Sequence, residues 1–231
     1  MLFRSKGIVV CSNASAFRQE PDVPLLLPEV NPEHTLLISR QKKERNWPGC
    51  IVANSNCTIT GFTIALKPLL DQFGLRSALI VSMQAISGAG YPGVSGFDIM
   101  GNVVPYISDE ERRMESEPRK MLGKFADASV KFADFTISAH ANRVPVLEGH
   151  MVCVNLELEQ KVSLEDFQQA LRRYRAPQIS RNLPSAPSEV IQVMDQPDRP
   201  QPRLDSMTGH GMTTVVRSEE HTSELQSRQS I

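Results

Sequence analysis

Apolar residues recur every three or four positions between residues 57 and 73, and this period predicts an amphipathic helix. Its apolar side carries Phe62, Ala65, Leu66, Leu69, Leu70 and Phe73. Gly74 follows directly, as is typical of the residue after a helix end. A shorter pattern with a serine cap predicts a second helix over residues 163–173.

Shorter apolar runs between the helices predict strands. They lie at residues 7–12, 50–53 and 77–83, and residues 132–158 alternate well enough for several more. We expect the first run to be a buried strand. Residues 176–204 contain many prolines and predict an extended arm. Helices and strands together predict a mixed α/β chain.

A third helix is predicted over residues 108–125, where Ser108 and Glu111 have capping-box spacing. Pro118 falls inside it and would cost about 3 kcal/mol in a continuous helix. We therefore expect a kink, or a new helix start near Ser116.

The overall charge offers no general attraction for polyanions. Of the 231 residues, 25 are Lys or Arg and 26 are Asp or Glu, which gives a net charge of -1. This balance argues against nucleic acid or an anionic membrane as a partner. Since no apolar run approaches the ~20 residues of a membrane span or forms a signal peptide, we expect a cytoplasmic protein.

The four cysteines, Cys11, Cys50, Cys57 and Cys153, form no CxxC pair and no cluster with histidine. A disulfide framework or a metal site is therefore not indicated. Cys57 lies where a strand ends and a helix begins, and the free N-H groups there favour a thiolate nucleophile. A small core residue is the ordinary alternative for Cys57 and the expectation for the other three.

Several strings of the sequence also resemble one enzyme family. GCIVANSNCTITGF, SMQAISGAGYPG, RVPVLEGH, and LPSAP with RPQPRLD resemble the aspartate-semialdehyde dehydrogenases, most closely those of fungi and archaea. The resemblance runs from about Ile8 to Arg217. It implies an α/β (α+β) fold: a catalytic and dimerisation domain of the glyceraldehyde-3-phosphate-dehydrogenase-like C-terminal type, with a mixed sheet and helices on one face, plus a Rossmann remnant.

The resemblance also implies three catalytic residues. Cys57, in the element Asn56-Cys57-Thr58, corresponds to the thiol nucleophile. Gln84 corresponds to a glutamine that orients the acyl-enzyme, and His150 to the residue that accepts the thiol proton and assists the tetrahedral steps. Judged without the resemblance, His150 would be a structural histidine.

Substrate and cofactor residues follow from the same resemblance. Arg143 corresponds to the residue that binds the substrate carboxylate, Glu117 to the one at the substrate amino group, and Lys120 and Arg18 to phosphate ligands. Asn56 joins this set. Without the resemblance, Glu117 and Lys120 would be an ordinary ion pair, and Pro118 between them departs from the family pattern. The cofactor loop would be Ser87, Gly88, Ala89 and Gly90.

The implied reaction is the NADP-dependent oxidation of L-aspartate 4-semialdehyde with phosphate, in a homodimer or a dimer of dimers. Two alternatives stay open: a related thiol-dependent reductase such as malonyl-CoA reductase or N-acetyl-glutamyl-phosphate reductase, and a catalytically dead fragment that only dimerises. Arg143 and the Glu117 and Lys120 pair favour an amino-acid semialdehyde over a CoA ester.

The expected organisation is a chain shortened at both ends. We predict the end of an NADP-binding Rossmann domain at residues 1–45, because no GxGxxG element precedes it, and a catalytic and dimerisation domain at residues 46–215. Residues 216–231 are predicted to be a non-native tail, since residues 217–227 read like a translated sequencing adapter. A natural polar terminus is the alternative.

Overall fold

A computed structural model describes residues 6–220 and 228–230, and no helix in this part of the chain is long and apolar enough to cross a membrane. The helices are α1 Leu37–Arg45, α2 Cys57–Phe73, α3 Gly96–Ile99, α4 Glu110–Met121, α5 Leu164–Arg173, α6 Gln178–Arg181 and α7 Pro202–Asp205. The strands are β1 Val9–Ser12, β2 Cys50–Ala53, β3 Leu75–Gln84, β4 Lys124–Ala126, β5 Ser129–Lys131, β6 Thr136–Arg143, β7 Met151–Leu158, β8 Ile191–Val193, β9 Thr214–Val216, β10 Glu219–Glu220 and β11 Arg228–Ser230.

A five-stranded mixed sheet carries the site, with the order β10-β11-β7-β3-β6. The central strand β3 runs parallel to β6 and antiparallel to β7. Its residues alternate, so that Ala78 and Ile80 point into the core while Leu79 on the other face is 46% exposed. The predicted mixed sheet is confirmed.

Helices α2 and α4 cover the inner face of this sheet, and α5 packs on α2 and on β8. α2 packs on β3, β7 and α5, and α4 packs on β6 and α2. The predicted bounds and apolar side of α2 are confirmed, since Phe62, Leu66 and Leu69 are buried and Gly74 ends the helix at a φ of 69°. The other sheet face stays open to solvent.

The first strand corrects one expectation. β1 pairs in parallel with β2, but its Val9 is 60% exposed. The prediction of a buried strand was wrong, because an apolar run does not show whether a second layer covers it. β2, in contrast, is buried along its length.

Helix α4 corrects a second expectation from the sequence. It runs through Pro118 as one helix, so a new start near Ser116 was wrong, and the Ser116 hydroxyl donates to the Arg112 carbonyl at 2.8 Å within the same helix. The capping box was also wrong, because Asp109 occupies the cap position without a side-chain hydrogen bond. Packing against β6 and α2 holds the helix across the proline.

The arm over residues 176–204 contains α6, β8 and part of α7. β8 pairs in parallel with β9, so the arm returns to the domain. The predicted tail begins at residue 216, and its strand β11 lies between β10 and β7 in the main sheet. Residues 221–227 and 231 of that tail lie outside the described residues, and its non-native origin stays a prediction.

Candidate active site

Cys57 is the first residue of α2, as predicted. The Asn56 side chain caps this helix, and its Oδ1 accepts from the Thr58 and Ile59 N-H groups at 2.9 and 3.4 Å. The Cys57 side chain is exposed, and its Sγ lies 3.2 Å from Nε2 of His150. The predicted contact between these two residues is confirmed.

His150 directly precedes β7 and follows Gly149, whose φ of 86° suits glycine. Its Nδ1 accepts a hydrogen bond from the Ala85 backbone N-H at 3.0 Å. Burial lowers the pKa of His150, the charge of Arg143 lowers it further, and the carboxylate of Glu110 opposes them. The neutral imidazole is therefore favoured.

Arg143 is buried at the end of β6, directly beside Gln84 on β3. Its Nη1 donates to the Ala85 carbonyl at 2.7 Å. Ala85 thus connects Arg143 to His150, because its carbonyl accepts from Arg143 and its N-H donates to His150. Within the described ranges, Nε and Nη2 of Arg143 make no hydrogen bond, so both nitrogens can serve a bound carboxylate.

Gln84 is buried, and its amide nitrogen donates to Ser82 Oγ at 3.2 Å and to Glu110 Oε1 at 2.8 Å. In the part of the chain that the structure describes, no donor reaches its Oε1. Gln84 therefore presents an acceptor to the site.

Glu110 is a buried residue in contact with the predicted site residues, and the sequence did not reveal it. Its buried carboxylate accepts from Asn56 Nδ2 at 2.8 and 2.9 Å, from Gln84 Nε2, and from Thr58 Oγ1 at 3.4 Å. It connects the cap of α2 to the end of β3. The only sequence signal was an acidic residue within a charged helix, which usually marks a solvated face.

Glu117, two turns further along α4, holds the same cap from its backbone. One carboxylate oxygen accepts from the Asn56 N-H at 2.7 Å, and the other from Arg18 Nη1 at 3.0 Å. Asn56 therefore uses Oδ1 to cap α2, Nδ2 to donate to Glu110 and its backbone N-H to donate to Glu117. Arg18 also donates to the Asn13 carbonyl, while its buried Nε has no partner among the described residues.

Lys120 does not face the site. The residue is 1% exposed, and its ammonium donates to the carbonyls of Arg18, Glu20 and Val23 at 2.7, 2.7 and 2.9 Å. Burial lowers its pKa to about 8, against the opposing charges of Asp22, Glu20 and Glu117. Because all three N-H donors are used, the expected contact with phosphate has no donor in this arrangement.

The predicted cofactor loop, Ser87, Gly88, Ala89 and Gly90, is an exposed turn after β3. A Cβ added to Gly88 would lie 2.8 Å from His150 Cε1 and 2.9 Å from Arg143 Nη1, whereas Gly90 has open space around it. Gly88 therefore lets the loop lie directly against the imidazole. The exposed backbone of this turn fits the close approach that a dinucleotide would need.

A cleft of about 890 Å³ opens beside Cys57 and His150. Its walls are α2, β7 and the arm that returns through β9, and Gly61 on α2 faces Thr214. The loop at residues 87–90, Gln84 and Arg143 lie outside its walls. The Cys57 thiol therefore lies at the wall of this cleft, and His150 connects it to Ala85 and Arg143 outside the cleft.

The other cysteines correct an expectation. Cys50 is buried, and burial raises the pKa of its thiol. Cys11 and Cys153, expected in the core, are exposed, because β1 is uncovered and Cys153 points to the open face of the main sheet. Sequence alone does not show which strand face is covered.

An exposed thiol at a helix start, in contact with a histidine, is the arrangement that covalent thiol chemistry needs. The chain belongs to the semialdehyde dehydrogenase family, because the family model "Semialdehyde dehydrogenase, dimerisation domain" matches residues 66–226. The model "Semialdehyde dehydrogenase, NAD binding domain" matches residues 2–38. The resemblance drawn from the sequence is thus confirmed for the family.

Named relatives agree. The chain is 50% identical over 214 residues to an aspartate-semialdehyde dehydrogenase of Archaeoglobus fulgidus, covering 93% of this chain and 61% of that protein. A crystal structure of the Candida albicans enzyme with NADP superposes with a TM-score of 0.85 at 38% identity, covering 99% of this chain and 66% of that one. A Vibrio cholerae enzyme at 24% identity, with a TM-score of 0.72, supports the fold alone. The chain spans about 60% of the length of the curated relatives it matches.

Proposed function

We propose that the full-length protein oxidises L-aspartate 4-semialdehyde to 4-aspartyl phosphate, using NADP and phosphate, with Cys57 as the nucleophile. The observation that carries the proposal is the exposed Cys57 sulfur at a helix start, 3.2 Å from a histidine that is itself held by a backbone N-H. The family membership and the NADP in the Candida albicans structure support it. The cytoplasm stays the predicted location.

The chemistry follows from the thiolate. Its sulfur adds to the aldehyde carbon, and the carbonyl electron pair moves to oxygen to give an oxyanion. NADP, when bound, supplies the hydride acceptor that turns this adduct into a thioester. Phosphate then attacks the thioester carbon, and Cys57 leaves again as thiolate.

Substrate recognition rests on the polar atoms that the fold leaves unused. Arg143 Nε and Nη2 can hold the substrate carboxylate in two parallel hydrogen bonds. Gln84 Oε1 can accept from the substrate amino group, which lies next to that carboxylate in an α-amino acid. For phosphate, Arg18 Nε offers a buried donor without a partner among the described residues.

The open face of the main sheet supports a homodimer, and a dimer of dimers needs a further surface. Leu79 is 46% exposed on this face, with Val81 and Met83 half-buried beside it. The segment after the glycine loop adds Tyr91 and Phe97, both fully exposed. An apolar face of this kind is typical of a subunit contact.

Two measurements test the proposal. Peptide-resolved alkylation of this chain should label Cys57 faster than Cys11 or Cys153. A longer chain, completed with the missing residues of the Archaeoglobus fulgidus relative, should reduce NADP only with L-aspartate 4-semialdehyde and phosphate, and Cys57→Ser should abolish this reduction.

Three results would contradict it. One is equal labelling of the exposed cysteines, and another is turnover that survives Cys57→Ser. The third is preference of the completed chain for malonyl-CoA or an N-acetyl-glutamyl substrate, which would move the assignment to a related reductase. If the completed chain dimerises but stays inactive, only the hypothesis of a catalytically dead, dimerising protein would remain.

A further inference from the structure

An ion pair closes a short turn near the end of the arm, at residues 198–206, which we call the Asp205 turn. Asp205, the last residue of α7, is 5% exposed, and its Oδ2 accepts from Arg199 Nε at 2.8 Å and from the Gln201 backbone N-H at 2.6 Å. Arg199 Nη2 donates to Oδ1 of the same carboxylate. The guanidinium therefore binds the carboxylate with two parallel hydrogen bonds, which fix both the distance and the orientation of the two side chains.

The backbone closes the same turn. The N-H groups of Leu204 and Asp205 donate to the Gln201 carbonyl at 3.0 and 2.9 Å, and the Gln201 side chain donates to the Asp198 carbonyl at 2.9 Å. Among the residues that the structure describes, the donors to the Asp205 carboxylate all lie between residues 199 and 201. The ion pair therefore shapes this turn and has no direct contact with the core of the domain.

The Asp205 turn packs against Gly149, in the connection that precedes β7. A Cβ added to Gly149 would lie 2.9 Å from Pro202 Cβ and 3.3 Å from Ser206 Cβ, so α7 contacts the Gly149 backbone directly. The next residue is His150, whose Nε2 lies 3.2 Å from the Cys57 sulfur. A shift of α7 would therefore reach the contact at the thiol through a single residue.

Packing alone does not hold the Asp205 turn in place. On one side, Pro202, Asp205 and Ser206 line the same cleft as Cys57, so this side borders open space. On the other side, Leu204 is 57% exposed. A segment with few buried apolar contacts opens easily unless its own hydrogen bonds fix its shape. In the Asp205 turn these bonds centre on one carboxylate.

We propose that Asp205 is a positioning residue of the thiol site. Through Arg199 it fixes the Asp205 turn, and the turn fixes Gly149 and with it the start of β7 relative to α2. Asp205 does not touch the thiol or a substrate in this role, so the inference does not depend on which aldehyde the protein oxidises. The alternative is an ion pair that serves stability alone.

The first test measures thiol reactivity beside stability in this chain. Asp205→Ala should slow peptide-resolved Cys57 alkylation at pH 7 by about three- to 10-fold, because the contact at the thiol is loosened and not removed. Cys50 is buried and reports on opening of the fold, so its labelling should stay as slow as in the parent chain. Asp195→Ala is the matched control, because Asp195 pairs with Arg172 but its side chain is 78% exposed. It should leave the Cys57 rate unchanged.

Milder variants keep the test decisive if Asp205→Ala does not fold. Asp205→Asn keeps one oxygen acceptor, and Arg199→Lys keeps the charge but lacks the two parallel donors. Each should slow Cys57 alkylation, and by less than Asp205→Ala. The double variant of Arg199→Ala with Asp205→Ala should be no slower than Asp205→Ala alone, because both changes break one ion pair. Additive losses would contradict the proposed route through Arg199.

Gly149→Ala perturbs the same contact from its other side. The added methyl group meets Pro202, so this variant should slow Cys57 alkylation at least as much as Asp205→Ala. Gly101→Ala is the control, because Gly101 also has a left-handed φ, of 66°, but has open space around it. It should leave the Cys57 rate unchanged, and equal rates in the two glycine variants would contradict the packing of α7 on Gly149.

Two results would overturn the proposal. One is a parent-like Cys57 rate in the Asp205 variants together with a lower free energy of unfolding, which is the behaviour of an ion pair that serves stability alone. The other is faster labelling of Cys50 in every variant that slows Cys57, which would indicate a general opening of the fold. Failure of the completed chain to oxidise the semialdehyde would refute the proposed function and leave this inference standing, because alkylation needs no substrate.

Discussion

Replacing Glu110 by alanine should weaken both the fold and the thiol site, because this carboxylate connects them. It accepts from Asn56 and Gln84 at 2.8 to 2.9 Å, and all three side chains are buried. Leaving a buried polar group without its partner costs about 1–3 kcal/mol. With two amides affected, Glu110→Ala should lower the free energy of unfolding by about 2–6 kcal/mol.

The thiol should respond as well. Asn56 caps the helix that begins at Cys57, and a lost cap typically costs about 1 kcal/mol. If half or more of this free energy is lost from the stabilisation of the Cys57 thiolate at the helix start, Cys57 alkylation should slow by roughly two- to fivefold. Glu110→Gln keeps the shape but turns an N-H towards one of the two amides, so its effects should lie between those of the parent and of Glu110→Ala.

The assay is denaturant unfolding paired with peptide-resolved alkylation at pH 7. Glu111→Ala is a matched control, because that neighbouring glutamate is 41% exposed and accepts one N-H, from Ala141 at 3.2 Å. It should change stability by less than about 1 kcal/mol. If Glu110→Ala and Glu111→Ala unfolded at the same denaturant concentration, the assignment of Glu110 as a connecting residue would be refuted.

Three further predictions follow from single contacts. Gly88→Ala should displace the His150 ring and slow Cys57 alkylation by about 10-fold. Gly96→Ala is the control, because Gly96 has open space around it and its replacement should not change the rate. Equal alkylation rates in the two variants would contradict the packing of Gly88 against His150. Lys120 has a folded-state pKa of about 8 against 10.5 unfolded, so the unfolded chain binds more protons between these values and stability rises with pH there. Between pH 8 and 10.5, the free energy of unfolding of the parent should therefore rise by up to about 3 kcal/mol relative to that of Lys120→Met. If the difference between the two free energies did not change with pH, Lys120 would not be a buried charged amine. Leu79→Lys should convert a micromolar dimer to monomers in sedimentation equilibrium, while Leu36→Lys, exposed but away from the sheet, should not; a monomeric parent chain would exclude the dimer.

Local patterns predicted α2 and α5 well. The cap, the apolar period and the closing glycine of α2 lie within its own stretch of sequence, so no distant contact was needed to predict its bounds. Ser163 likewise caps α5 by accepting the Asp166 N-H at 3.1 Å. The mixed sheet needed the family resemblance, because strand order depends on contacts far apart in sequence.

Helix α4 shows where local patterns fail. Its string EERRMESEPRK looks like a solvated, proline-broken segment, yet Glu110, Glu117 and Lys120 are buried. Their hydrogen-bond partners lie 26 to 102 residues away in sequence, including Asn56 for Glu110 and the Arg18 carbonyl for Lys120. No periodicity encodes such partners, and the same contacts hold the helix together across Pro118.

A residue's type also says little about which of its atoms remain available. Asn56 and Lys120 belong to the expected substrate set, but internal hydrogen bonds use Asn56 Nδ2 and all three Lys120 donors. What remains beside His150, whose Nε2 lies 3.2 Å from the Cys57 sulfur, is two nitrogens of Arg143 and the carbonyl oxygen of Gln84. Two parallel donors suit a carboxylate, and the acceptor suits an ammonium. An α-amino acid with an aldehyde on its side chain presents both groups together, whereas malonyl-CoA carries a carboxylate but no ammonium. The pattern of unused atoms therefore supports the amino-acid semialdehyde that we propose as substrate, on chemical grounds that do not depend on the family resemblance.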